Sequence, residues 1–496
     1  MSKLIATRFA PSPTGDLHIG SLRTALFAYL FARKNKGEFL LRIEDTDQAR
    51  YQEGSVAIIF EALKWVGINY DNEDNIIFQS RRTAIYQKYA DELIEKGHAY
   101  YCFCSAERLV KMRAEQTAKK MAPKYDRQCL QLSAEAIQRK LAAAEAHVIR
   151  MRIPAGETVF KDLICGQVKF NHNEIDDQIL IKSDGFPTYH LANVVDDHET
   201  KITHVIRAEE WLPSTPKHII LYHAFGWPVP EFAHLSLILA PDKAKLSKRH
   251  GATSVLEFKK LGYLPEALVN YIALLGWNPG TEQEIFSFKE LEEEFDFSKV
   301  HQAGAVFDRE KLDWLNGHYI RQKNLDELTE LCLPYLNPLL PESKSASGRL
   351  DEWTPTNVGG RGGGRYDYLK SIVGLEQERL KKLSEIGERT KYFFVKPEYQ
   401  PELLIWKKSD AKTIKERLEF LKDYLSQIPG ENWTRETVGE ALVEKIKHKG
   451  YTNGEVLWPM RVALSGLDKS PSPFEIAEVL GKKETLARIK EAVNKL

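Results

Sequence analysis

The chain opens on a short apolar run, Leu4 to Phe9, stopped by Pro11 and Pro13, which reads as a strand running into a turn. Leu22, Leu26, Tyr29, Leu30 and Arg33 then recur at helical spacing, from a start near Gly20 or Ser21. Phe39 to Ile43 is the next strand, with Glu44, Asp45 and Asp47 at its carboxyl end. Strand, helix, strand is the first unit of a doubly wound α/β sheet. Ligands of such sheets sit beyond the carboxyl ends of the strands.

From about Arg82 to Tyr189 the pattern changes to a charged helix (Ala106 to Lys120), strand-like pieces such as His147 to Ile153, and most of the cysteines. This reads as an α+β domain inserted between two halves of the sheet, which resumes around Tyr189 to Arg207 and finishes near Leu235 to Leu239. Residues from about Gly262 to Arg321 are mainly helical. Pro341 to Arg365 is rich in Ser, Gly and charge and reads as a flexible insertion. Tyr368 to Leu496 shows helical periodicity throughout, broken at Pro397, Gly430 and Pro471.

At 496 residues the chain exceeds one core and fits roughly three domains. Lys and Arg together number 70, as do Asp and Glu, so an RNA partner would be held by local basic patches and not by a uniformly positive body. Five cysteines do not suggest a disulfide framework; Cys102 and Cys104 suit a reducing compartment and a metal site. No charged-then-apolar signal segment opens the chain, and no apolar run reaches the roughly 18 residues of a membrane span. A cytoplasmic, membrane-free protein is the expectation.

Two distant segments carry chemistry. The first is Arg8-Phe-Ala-Pro-Ser-Pro-Thr-Gly-Asp-Leu-His18-Ile-Gly20-Ser, a turn that offers N–H groups and an imidazole to phosphate oxygens. The second is Lys245-Leu-Ser-Lys248-Arg249, able to neutralise a leaving pyrophosphate. Taken singly, the first could be a loop with a satisfied histidine and the second a solvated charge run. Between Leu239 and Lys260, however, six basic residues face two acidic ones, a surplus that suits triphosphate. Together the segments resemble the HIGH and KMSKS elements of class I aminoacyl-tRNA synthetases. The longer string through Arg23-Thr-Ala-Leu26 is similar to the glutamyl and glutaminyl branch, with Ser21 where many class I enzymes carry a second histidine.

That resemblance implies an ATP site at Thr14, His18, Gly20, Ser21, Lys245, Ser247, Lys248 and Arg249. His18, Lys245 and Lys248 would be catalytic, and Mg²⁺ would arrive with ATP. A carboxylate attacking the α-phosphorus needs positioning and charge stabilisation, not a protein nucleophile. An amino-acid carboxylate is best held by an arginine fork. The block Phe186-Pro-Thr-Tyr189-His-Leu-Ala-Asn193 also resembles this branch. By that likeness Arg8 and Arg207 would meet the carboxylates of L-glutamate, Glu44 its ammonium, and Tyr189 and Asn193 would add hydrogen bonds. Ala10 and Ser12 would line the pocket. The plain alternative is that the two arginines serve ordinary ion pairs, and which would take which carboxylate stays open.

Cys102, Cys104 and Cys129, with Tyr125 as an oxygen donor, resemble the zinc-binding insertion of some glutamyl-type enzymes and would hold a structural Zn²⁺; Gln131 stands where other such sites use histidine. Three free cysteines are the alternative. Phe307 to Arg321 and Trp458 to Gly466 look like segments of bacterial glutamyl-tRNA synthetases, and Arg379 and Arg461 are candidate tRNA contacts, although amphipathic packing explains such helices as well. Glutaminyl enzymes carry a β-barrel anticodon domain, against which the helical C-terminal half speaks.

The fold implied is α/β, a class I Rossmann-like catalytic domain in two halves (1–81 and 189–261) around an inserted acceptor-stem or zinc-type α+β domain (82–188). A helical stem-contact region (262–321) and an all-α anticodon-binding domain (322–496, with the insertion at 341–365) follow. The activity implied is ATP-dependent transfer of glutamate to tRNA(Glu) by a monomer, with tRNA needed before activation. Alternatives are an enzyme that also charges tRNA(Gln), a shortened relative that modifies a tRNA base, a small nucleotidyltransferase, and a catalytically silent tRNA-binding paralogue.

Overall fold

Three parallel strands, Ala6–Phe9, Glu38–Ile43 and Ile77–Phe78, lie side by side in sequence order, with Arg8 opposite Leu40 and Ile43 opposite Phe78. All four residues of Ala6–Phe9 are buried, as a parallel strand covered on both faces must be. The helix Ile19–Lys34 covers this sheet with Leu22, Leu26 and Leu30 fully buried. Each such side chain stabilises the fold by about 1.5–3 kcal/mol. Arg33 and Lys34 in its last turn complement the helix dipole.

A second sheet runs in the order Gly166–Asn171, Glu157–Asp162, Glu231–Leu235, His204–Ala208. Its edge adjoins the first through Thr203, whose Oγ1 accepts the Ala6 N–H at 2.9 Å while its own N–H donates to the Ala6 carbonyl at 2.9 Å. The hairpin Glu157–Asn171, inside the segment read as an insertion, therefore extends this sheet: Glu231–Leu235 runs parallel to Glu157–Asp162. A small antiparallel sheet, Ala99–Cys102 with Val148–Met151 and Ile179–Ile181, packs with the helices Thr83–Glu95, Tyr189–Glu199 and Thr215–Phe225.

The structure is a computed structural model that describes residues 4–339 and 364–496; the bulk of the 341–365 insertion lies outside the described residues, and Arg365 opens the helix Arg365–Glu376. Two compact units result, Met1–Lys259 with Pro265–Arg309, and Lys260–Leu264 with Glu310–Leu496. The second is helical, with Ala411–Ser426, Asn453–Ser465 and Pro473–Lys495 around a core that includes Leu418, Leu421, Met460 and Ile476. Gly481, at φ 77°, kinks the last of these, a break that periodicity alone did not reveal.

Some expected boundaries shift. The second sheet ends at Leu235, and Ile238–Leu239 leaves it to pair with Ala305–Val306. Tyr189–Glu199 is a helix and not resumed strand, because Thr188 turns the chain from extended backbone into a helix in which every residue from Leu191 to Asp197 is buried. The charged helix spans Ala106–Ala118 and buries none of its residues. Among the described residues no helix is long and apolar enough to cross a membrane.

Candidate active site

The Pro-rich turn between Phe9 and His18 is pinned by main-chain bonds. The Glu44 N–H donates to the Pro11 carbonyl and the Gln52 N–H to the Pro13 carbonyl, each at 3.0 Å. His18 caps the following helix: its Nδ1 accepts the Gly20 N–H at 3.0 Å, which leaves the ring proton on Nε2. A Cβ at Gly20 would lie 3.2 Å from that nitrogen, so the close approach favours glycine. Burial, and then Lys245, lowers the His18 pKa, so the ring is a neutral donor at neutral pH.

The basic loop is brought to His18 by backbone. The Ile19 N–H donates to the Thr253 carbonyl and the Val255 N–H to the Leu17 carbonyl, both at 2.9 Å. A cavity of about 400 Å³ results, lined by His18, Gly20 and Ser21 on one side and Lys245, Ser247 and Lys248 on the other. Lys245 lies 2.6 Å from Glu210, and Lys248, 80% exposed, lies 3.9 Å from Asp16. Thr14 and Arg249 fall outside this lining; Arg249 points to Asp242 and to the His250 ring.

A second cavity of about 220 Å³ shares Ser21, Thr24 and Ala208 with the first. Arg8, Ala10, Ser12, Glu44, Tyr189, Asn193 and Arg207, every residue expected around glutamate, line it, together with Trp211. Beneath it lies a buried ionic network that sequence reasoning missed. Arg8 pairs with Asp197 (3.0 Å), and Arg42 pairs with Asp197 (2.6 Å) and Glu44 (3.1 Å); Arg82 pairs with Asp196 (3.0 Å). With its amide nitrogen toward Asp197, Asn193 accepts from Arg8 and Arg42 at 3.1 and 3.0 Å. Burial pushes the Asp197 carboxyl up, but Arg8 and Arg42 more than offset it and its pKa falls. Glu44 goes the other way: burial raises it despite Arg42.

The charge balance is informative. Arg8, Arg42 and Arg82 meet Asp196, Asp197 and Glu44, three against three. Arg207, 5% exposed, has no carboxylate partner among the described residues. The pocket thus holds one uncompensated positive charge, the complement of a zwitterion with a second carboxylate. Tyr189 Oη accepts from Arg207 at 3.0 Å, so its own proton is free to face the cavity.

Cys102, Cys104 and Cys129 place their sulfurs within 4.8 Å of one another. Tyr125 Oη lies 3.4 Å from Cys102 and 3.3 Å from Cys104, and accepts the Cys129 N–H at 3.1 Å. Ligand atoms around a tetrahedral zinc are separated by about 3.8 Å, so these four donors fit that ion. The Arg108 guanidinium, 3.3 Å from Cys104, and the Phe103 N–H, 3.4 Å from Cys129, suit thiolate charge.

In the second unit Arg461 donates to the Ser470 and Pro471 carbonyls at 2.5 and 2.9 Å. Burial, then the nearby Arg379, lowers its pKa, so these two arginines share one neighbourhood. Arg379 lies 3.8 Å from Glu376.

Comparison with known proteins agrees with this geometry. A family model described as "tRNA synthetases class I (E and Q), catalytic domain" matches residues 4–314, and one described as "Anticodon binding domain" matches residues 327–493. The chain is 46% identical to the glutamate–tRNA ligase of Clostridium botulinum, with 100% of this chain and 99% of that one covered, and 45% identical to that of Clostridium tetani, at 99% and 98%. Among solved structures, a glutamate tRNA ligase from Elizabethkingia meningosepticum, crystallised in complex with its amino acid, superposes with a TM-score of 0.87 at 36% identity over 99% of each chain.

Proposed function

We infer the chemistry from the family to which this chain belongs, the glutamate–tRNA ligases among the class I tRNA synthetases: it activates L-glutamate with ATP and transfers it to the terminal adenosine of tRNA(Glu). The observation that carries this reading is the pair of adjoining cavities, one walled by His18 and the basic loop, the other by an arginine without a carboxylate partner among the described residues. A glutamate in the smaller cavity has its α-carboxylate directed at a nucleotide in the larger. That carboxylate attacks the α-phosphorus in line and pyrophosphate leaves. His18, through Nε2–H, and Lys245 and Lys248, through their ammonium groups, stabilise charge as it moves onto the phosphate oxygens. Ser21 and Ser247 add hydroxyl donors. Magnesium bound to ATP would supply further charge neutralisation.

Arg207 and Arg8 receive the substrate carboxylates, with the Tyr189 hydroxyl as a further donor, and Glu44 faces the ammonium. A tRNA hydroxyl then attacks the mixed anhydride, which releases AMP. Cys102, Cys104, Tyr125 and Cys129 would hold zinc as a structural brace of residues 82–188, which we assign to the acceptor stem. The helices of residues 262–321 would follow the stem and those of 322–496 would read the anticodon, with Arg379 and Arg461 as contacts. Both cavities are lined within one unit of a single chain, which supports a monomer, and we place the reaction in the cytoplasm.

Charging assays with purified tRNA(Glu) and tRNA(Gln) test the reading. Glutamate should be esterified to tRNA(Glu), and charging of tRNA(Gln) would extend its range. ATP–pyrophosphate exchange should require tRNA. Failure to charge either tRNA, with the protein folded, would leave the silent-paralogue alternative.

A further inference from the structure

Among the described residues, Arg207 is held by neutral groups alone. Its Nε donates to His234 Nε2 at 3.1 Å, one terminal nitrogen to Tyr189 Oη and His218 Nδ1 at 3.0 and 3.2 Å, and the other to Thr215 Oγ1 and the Trp211 carbonyl at 2.9 and 3.4 Å. Its N–H groups therefore meet only acceptors that carry no charge, and the long bond to the Trp211 carbonyl is the one a substrate carboxylate can take over. For His234 to be such an acceptor its proton must sit on Nδ1. Asp162, at the end of strand Glu157–Asp162, fixes this: its Oδ2 lies 2.6 Å from His234 Nδ1 in a wholly buried pair. Thr215 Oγ1 lies 3.1 Å from the same Nε2.

We propose that Asp162 and His234 form a positioning relay that fixes the His234 tautomer, and so holds Arg207 in place for a substrate carboxylate while keeping every protein carboxylate off it. The contrast with Arg8, paired directly with Asp197, shows what the relay avoids. A carboxylate placed straight onto Arg207 would cancel the charge meant for substrate. One imidazole further away, it orients without neutralising. Neither residue lines the substrate cavity itself, so both act through Arg207, which does. The inference rests on the reading that Arg207 faces glutamate.

Asp162→Asn is a clean perturbation. Oδ1 of Asp162 accepts the N–H groups of Ile164 and Cys165 at 2.9 Å and of His234 at 3.3 Å, so the asparagine oxygen is held there and its NH₂ is turned toward His234 Nδ1. The turn survives, the tautomer reverses, and an Nε2–H opposes the Arg207 N–H. The expected result, in tRNA-dependent ATP–pyrophosphate exchange on the full chain, is a rise of about tenfold or more in KM for glutamate with KM for ATP within about twofold. His234→Phe should raise the glutamate KM as well, and Asp162→Asn should add nothing on that background. An unchanged glutamate KM in a folded Asp162→Asn, an equal rise for ATP, or additive effects of the two changes would overturn the relay. Should Asp162→Asn fail to fold, imidazole ¹⁵N spectra of the wild type decide, since a proton found on His234 Nε2 is incompatible with it. A wild type that does not use glutamate would instead sink the substrate reading.

Discussion

Replacing Asp197 with alanine should loosen the floor of the smaller cavity. The carboxylate is 1% exposed and accepts from Arg8 Nε (3.0 Å), Arg8 Nη2 (3.3 Å) and Arg42 Nη1 (2.6 Å). Without it Arg8 keeps only uncharged acceptors, the Asn193 amide oxygen at 3.1 Å and the Ile206 carbonyl at 3.5 Å, while Arg42 keeps Glu44, so one buried cation is left without compensation. Removing one partner of such a pair costs about 3–5 kcal/mol. Hydrogen exchange across the helix Tyr189–Glu199 and the strand Glu38–Ile43 reads the loss locally, and opening should become about 10²–10⁴-fold more frequent. Exchange in Ala411–Ser426, in the other unit, should stay as it was. The folded-state pKa of Asp197 is depressed, so its stabilisation is complete above the ordinary carboxylate range near 4 and disappears as pH falls through the lower folded value. The difference between variant and wild type should therefore shrink in acid. Protection within tenfold of wild type at pH 7 would refute the reasoning.

Three further outcomes are expected. Lys248→Ala should lower adenylate formation about 100-fold or more with tRNA affinity within about twofold, because the proposed function sets its ammonium against the phosphates; near-normal turnover would void that role. Gly20→Ala should raise KM for ATP severalfold, since the added methyl presses on the His18 ring 3.2 Å away; unaltered ATP kinetics would show that the ring position is not critical. Protein purified without chelator should carry about one zinc per chain by elemental analysis and Cys129→Ser should lose it, whereas metal-free protein of unchanged melting temperature would count for three free cysteines.

Much of the site was legible because its residues lie in short strings with local geometry of their own. The His18 turn is an example, its cap, its glycine and the following helix lying within three residues of one another. The seven residues around the smaller cavity came from likeness to a family, not from spacing. Arg42 and Asp197 were not seen, although a charge inside the apolar run Phe39 to Ile43 is a signal that something must meet it. Its partner lies 155 residues away, and no local pattern records that distance. The hairpin Glu157–Asn171 was misplaced for the same reason, since its tie to the main sheet is a parallel pairing with Glu231–Leu235. Tyr125 stood on family likeness alone, and its hydroxyl lies beside two of the three sulfurs.

The main-chain bonds that bring the basic loop to His18 have a mechanical consequence. At one end Leu246 is fastened to Ile238 at 3.0 Å, and at the other Thr253 is fastened to Ile19 at 2.9 Å. Residues 247–252 span the two pegs, a stretch of about 20 Å when fully extended. Such a clasp confines the Lys248 charge to a short arc. Lengthening it by even a few residues would free Lys248 to wander, so selection there should act on the number of residues more strictly than on their identity.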